Sequence, residues 1–98
     1  MADIVISPGV LEKLRDKHQV ADKEVWQCFA NRTGRLLTDS RETHQTDPPT
    51  QWFIAPTNQG RLLKICFVPD GSYFIRTAYP PNEEELRIYR KYAEPHDF

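Results

Sequence analysis

Three apolar runs, Trp52-Phe53-Ile54-Ala55, Leu62 to Val68 and Tyr73 to Tyr79, are separated by short connections containing Asn58-Gln59-Gly60 and Pro69-Asp70-Gly71. Runs rich in β-branched and aromatic residues, bounded by turn formers, read as strands, and Pro-Asp-Gly is a strong hairpin signal. Turns this short join only antiparallel neighbours, because a parallel crossover needs about a dozen residues or more. With Leu36-Leu37 as a further strand, the economical topology is a meander of sequential neighbours.

The first thirty or so residues follow a different period. Ile4-Val5-Ile6 reads as a short opening strand. Ser7-Pro8 then starts a helix, serine as the cap and proline at a first position where its missing N–H costs nothing. Val10, Leu11 and Leu14 form its apolar face, and Lys17-His18-Gln19 ends it. A second helix is expected with Asp22 as its cap and Val25, Trp26 and Phe29 as its stripe, Cys28 lying beside them. Asn31-Arg32-Thr33-Gly34 stops it, with Gly34 offering a left-handed turn. Pro80-Pro81 ends the sheet. Asn82 caps a last helix, Glu85 completes a capping box, and Leu86, Tyr89 and Ala93 provide a face to lay on the sheet. The expected fold is α+β: a short N-terminal strand, two helices, an antiparallel meander sheet and a C-terminal helix.

A chain of 98 residues, 39% apolar and 11% aromatic, supports one modest core. Residues 1–93 are expected to form a single domain, with 94–98 as a flexible tail. No run approaches the roughly 20 apolar residues of a membrane span. The N-terminus lacks the basic region and apolar run of a secretion signal, so a cytoplasmic location is expected. Cys28 and Cys66, each in an apolar segment, read as buried thiols, although the sequence leaves a disulfide open. No phosphate-cradling glycine loop, nucleophile elbow or dinucleotide fingerprint occurs, and no metal or cofactor is expected.

Net charge is −1, which argues against nucleic-acid binding by bulk charge. Its distribution is uneven: Asn31 to Tyr79 carries a net +2, and the flanks carry the compensating acid. Ser40 to Thr50 is polar, lacks an apolar anchor and joins two strands expected to be neighbours. It exceeds the usual connection of about 4–6 residues, which marks it as a loop that carries function.

Leu14-Arg15-Asp16-Lys17-His18-Gln19-Val20, followed by Glu24-Val25-Trp26-Gln27-Cys28-Phe29, resembles the lysine-histidine, valine, acidic, phenylalanine segment of BrnT toxins. Gly60-Arg61-Leu62-Leu63-Lys64-Ile65 resembles their central strand. Ile75-Arg76-Thr77-Ala78-Tyr79 with Glu84-Glu85-Leu86-Arg87-Ile88-Tyr89 resembles their closing strand and helix. The family's arginine after serine-alanine is Tyr79 here, while Arg76 lies on the same strand. The resemblance implies a RelE/BrnT-like toxin, a small ribonuclease held in check by a partner antitoxin and acting on RNA. Related sequences also carry the label ADP-ribosyl-(dinitrogen reductase) hydrolase, which would imply magnesium dependence. A third expectation is an interaction module that keeps the fold without the chemistry.

Metal-independent RNA cleavage needs a base for the 2′-hydroxyl, an acid for the leaving oxygen and cations for the charge on phosphorus. The acid–base candidates are His18, His44, Glu42 and Tyr79. Arg76 joins His18, His44 and Tyr79 in the candidate catalytic set, and Lys17, Arg41, Arg61 and Lys64 are candidate phosphate ligands. Each has a plainer role open to it. His18 fits a helix end, His44 a solvated loop, Arg61 an exposed rim and Tyr79 simple packing. By strand alternation Arg76 shares a face with Phe74 and Ala78, and Lys64 with Leu62 and Cys66. Trp52 and Phe53 are neighbours in a strand, so one of them points inward, and core packing competes with base stacking at both.

Overall fold

The computed structural model describes residues 3–39 and 46–98. The order of elements is β1 (Ile4–Val5), α1 (Pro8–His18), α2 (Asp22–Asn31), β2 (Leu37–Thr38), β3 (Gln51–Pro56), β4 (Leu62–Asp70), β5 (Ser72–Tyr79) and α3 (Glu83–Ala93). This is the expected α+β arrangement. The sheet order is β1-β5-β4-β3-β2. From β2 to β5 it is the expected antiparallel meander, and β1 adds to the β5 edge in parallel, Ile4 opposite Tyr73 and Val5 opposite Phe74. No helix among the described residues is long and apolar enough to cross a membrane.

Strand alternation divides the core between two faces. Phe53 pairs with Ile65, which pairs with Ala78, and all three are fully buried. Phe29 of α2 lies against Phe53 and Phe67, so α2 covers that face, while α1 packs on β5. Trp52, one residue from Phe53 and hence on the opposite face, meets Tyr89 of α3 with ring centroids 5.6 Å apart. Helix α3 packs chiefly on β2 and β3 on its side. Of Trp52 and Phe53, it is Phe53 that is sealed in the core.

Helix ends follow local chemistry, with two corrections. The Ser7 hydroxyl accepts from Val10 N at 3.3 Å, and Asn82 and Glu85 form the expected reciprocal box. The cap of α2 is Ala21, not Asp22. Ala21 has no side-chain acceptor to offer, and Glu24 makes the other half of a capping box, taking the Ala21 N–H at 3.0 Å. Asp22 falls in the first turn, where its charge suits the helix dipole. Nor does Gly34 provide a left-handed turn: α2 ends at Arg32 in extended backbone, φ −63° and ψ 130°, and the positive-φ glycines are Gly60 and Gly71. Gly34 is required for space, because an added Cβ would lie 2.6 Å from the Tyr89 hydroxyl oxygen.

The α2 stripe is also narrower than periodicity implies. Val25 and Cys28 are fully buried, but Trp26 is 50% exposed. A helix on one face of a sheet buries one stripe, and Trp26 stands beside that stripe, not on it. The last five residues run back along the turn before β2. Thr33 Oγ1 donates to Asp97 at 2.9 Å, accepts the His96 N–H at 3.0 Å, and Phe98 stacks on Tyr89.

Candidate functional site

Lys64 lies in the middle of β4, between Ile54 and Tyr79 in the register, and so faces α3 with them. Only 6% of the residue is exposed. A buried ammonium needs partners to offset the loss of water, and three elements supply them. From β5, the Tyr79 hydroxyl lies 3.3 Å from Nζ. From α3, Glu85 Oε2 lies at 2.7 Å. From β3, the Trp52 ring faces the cation with its centroid at 4.6 Å.

Glu85 is positioned by the helix it helps to start. The Asn82 N–H donates to Oε1 at 3.0 Å, and the Glu85 N–H donates back to Asn82 Oδ1 at 2.8 Å. The cap therefore fixes one carboxylate oxygen. The other, Oε2, accepts from Lys64 and from the Tyr79 hydroxyl, both at 2.7 Å. A capping residue thus serves as the counter-ion of a buried lysine.

The electrostatics follow from that geometry. Burial pulls the Lys64 ammonium down, but the hydrogen bond to Glu85 and the surrounding negative charge outweigh it and leave the pKa above its ordinary value. Burial pushes Glu85 up, yet the bonds from Lys64, Asn82 and Tyr79 prevail and hold its pKa below the usual value. Tyr79 is raised, first by burial and then by its bond to the carboxylate. At neutral pH the cluster is a cation, an anion and a neutral phenol.

His18, the last residue of α1, lies beside this cluster, its ring 5.5 Å from that of Tyr79. The chain that follows α1 turns sharply: Gln19 adopts left-handed backbone at φ 53°, and Val20, nearly fully buried, pins the turn from the core side. Next to Lys64 and Glu85 a groove of about 500 Å³ opens between α3 and the β2–β3 edge. Its wall is mostly apolar, with Leu37, Trp52, Ile88 and Tyr92 contributing.

The candidates nominated by sequence divide four ways. His18, Lys64 and Tyr79 come together. Arg61 is engaged elsewhere: its guanidinium donates to the carbonyls of Gln19 at 2.8 Å and His18 at 3.1 Å and pairs with Glu24 at 3.1 Å. It clamps the end of α1 to the start of α2 and so helps hold His18 in place. Lys17 and Arg76 are exposed. His44, Arg41 and Glu42 lie outside the described residues.

Arg76 does not share a face with Ala78. Between Cys66 and Phe67 the register slips, Cys66 pairing with Thr77 and Phe67 with Ile75, so Arg76 is the extra residue of a β-bulge. A bulge reverses the alternation beyond it and re-aims the inserted side chain. Ala78 is accordingly sealed in the core while Arg76 faces solvent.

Glu85 and the Trp52–Lys64 contact are the parts of the site that sequence reasoning missed. The only signal for Glu85 was its capping position, which accounts for one of its oxygens. Cys28 and Cys66 form no disulfide. Cys28 is held by α2 at Ala55, its thiol donating to that carbonyl at 3.4 Å, and burial pushes its pKa up to about 12, so it is no nucleophile. Among the described residues no three His, Cys, Asp or Glu side chains gather as a set that could hold a metal ion.

No protein-family model, curated protein or solved structure matches this chain. The functional reading therefore rests on the residues and their geometry.

Proposed function

We propose that the chain is a toxin-like ribonuclease that cleaves RNA without a metal ion, acting through His18, Tyr79 and Lys64 and restrained in its host by an antitoxin protein. The observation that carries this reading is the meeting of those three side chains, drawn from α1, β5 and β4. In-line cleavage of RNA moves a proton from the 2′-hydroxyl, concentrates negative charge on the phosphoryl oxygens and delivers a proton to the departing 5′-oxygen. Histidine is the side chain whose ordinary charge change lies nearest neutrality, and it suits either proton transfer. His18 takes the proton from the 2′-hydroxyl, the Tyr79 hydroxyl hydrogen-bonds to a phosphoryl oxygen, the Lys64 ammonium stabilises the developing charge, and solvent water protonates the departing 5′-oxygen. The exposed Arg76 and Lys17 hold the flanking phosphates.

The test is cleavage of an end-labelled single-stranded RNA by purified protein in the presence of a chelator. Fragments ending in 2′,3′-cyclic phosphate are expected. His18→Ala is expected to slow the reaction by about 10²-fold or more, the usual contribution of a proton-transfer group. In a bacterial host, induced wild type is expected to arrest growth and degrade RNA, and Arg76→Ala to do so less. Intact RNA in both settings, with folded protein present, would sink the proposal.

One observation favours a second reading. The Lys64 ammonium is already matched by Glu85 at 2.7 Å and by Tyr79, and the chain is acidic overall. On that reading the cluster fastens α3 to the sheet, and the domain is an interaction module. It predicts that Lys64→Met destabilises the fold while RNA is untouched by any variant.

A further inference from the structure

The donors around Glu85 Oε2 are those a phosphate oxygen seeks: an ammonium at 2.7 Å and a phenolic hydroxyl at 2.7 Å. A carboxylate and a phosphodiester carry the same single negative charge and accept from the same groups. The two cannot share the Lys64 ammonium, since like charges in a poorly solvated site repel strongly.

We propose that Lys64 and Tyr79 form a phosphodiester-binding site that the chain keeps closed with its own Glu85, so that an RNA phosphate engages them only when the first turn of α3 withdraws that carboxylate. The inference rests on the ribonuclease reading and concerns the regulation of that same site.

The anchoring of α3 suits such a movement. Its buried side chains, Tyr89 and Ala93, lie in its second half. Tyr89 donates to the Arg35 carbonyl at 2.8 Å, and the Ala93 carbonyl accepts the Arg35 N–H at 3.0 Å. At the other end Glu83 and Glu84 are exposed and Leu86 is only partly buried. The first turn is thus held to the sheet by Glu85 and by the partly buried Leu86, which packs against the core. Pro80 and Pro81 precede it, and the exposed Arg76 and Lys17 offer positive charge outside the closed site.

Glu85→Gln separates the charge from the cap, because glutamine serves at the same capping-box position. The probe is a short single-stranded RNA carrying 2′-O-methyl groups, which binds without being cut, followed by fluorescence anisotropy. Removing a tethered competitor is expected to tighten binding by about tenfold or more, and Lys64→Met added to Glu85→Gln is expected to abolish the gain. Equal or weaker binding by folded Glu85→Gln overturns the proposal. So does a gain that survives Lys64→Met, since it would report only the change in overall charge.

A second measurement uses the wild-type chain alone. On adding the same RNA, amide hydrogen exchange is expected to quicken at residues 83–86 while Tyr89 to Ala93 stay protected. Unchanged or slower exchange at 83–86 overturns the closure. Cleavage of unmodified RNA is scored separately: a wild type that cleaves, beside a Glu85→Gln that binds no better, keeps the ribonuclease reading and rejects the closed site.

Discussion

Gly34 and Tyr89 are in mutual contact at the place where α2 hands the chain to β2: a Cβ at position 34 would fall 2.6 Å from the Tyr89 hydroxyl oxygen and 3.0 Å from its ring. That hydroxyl donates to the Arg35 carbonyl, and the phenol is pushed up to about 12, chiefly by burial. The contact seats the anchored end of α3, on which the groove beside Lys64 depends.

Gly34→Ala is therefore expected to destabilise the fold by about 1–3 kcal/mol, the usual cost of overpacking. Denaturant unfolding measures it. The cost comes from the close approach and not from backbone strain, so Tyr89→Phe should reduce it. The double variant is expected to lose less than the sum of the two singles, and strict additivity would show that the contact is not its source.

Arg61 bonds to Gln19, His18 and Glu24. Arg61→Ala leaves the last carbonyls of α1 without their donor and is expected to cost about 2 kcal/mol. Lysine, a point donor in place of a planar fork, should recover less than half of that. Both effects are read as shifts in unfolding midpoint. A midpoint unchanged in Arg61→Ala would mean that the clamp contributes nothing.

The cluster of Lys64, Glu85 and Tyr79 sets pH limits of opposite sign. The Glu85 pKa is lowered by folding, so its contribution is present above the ordinary carboxylate value and is lost as pH falls through the depressed one. The values of Lys64 and Tyr79 are raised, so their contribution is present below the ordinary lysine and tyrosine values and is lost as pH climbs through the raised ones. Stability is expected to be flat around neutrality and to fall at both extremes. Glu85→Gln should flatten the acid limb, and Lys64→Met the alkaline limb. Unfolding midpoints across the pH range test this, and an acid limb unaltered by Glu85→Gln would contradict it.

What could be read from the chain was whatever nearest neighbours decide. The change from helical to alternating period, the Ser7 and Asn82 caps and the hairpin at Gly71 follow from local sterics and hydrogen bonding, and each is where the pattern put it. Two local readings failed for want of a neighbour. Asp22 looked like a cap because the Glu24 carboxylate was not known to turn back to the Ala21 N–H. Gly34 looked like a turn because Tyr89, far along the chain, was not known to press against it.

The candidate site was legible as residue types and not as an arrangement. His18, Lys64 and Tyr79 could be nominated for their chemistry, but Arg61 carried the same credentials and is engaged by helix carbonyls. Arg76 shares a face with Ala78 by simple alternation, and the bulge at Cys66 and Phe67 breaks that alternation. By itself the sequence determined the order of strands and helices, since period and capping act over a few residues. Only the tertiary structure decided that Lys64 is buried, that Glu85 21 positions away is its counter-ion, and that Arg61 reaches back 42 positions to Gln19. The reason is physical: a buried charge is set by which distant groups arrive beside it, and no local pattern encodes that arrival.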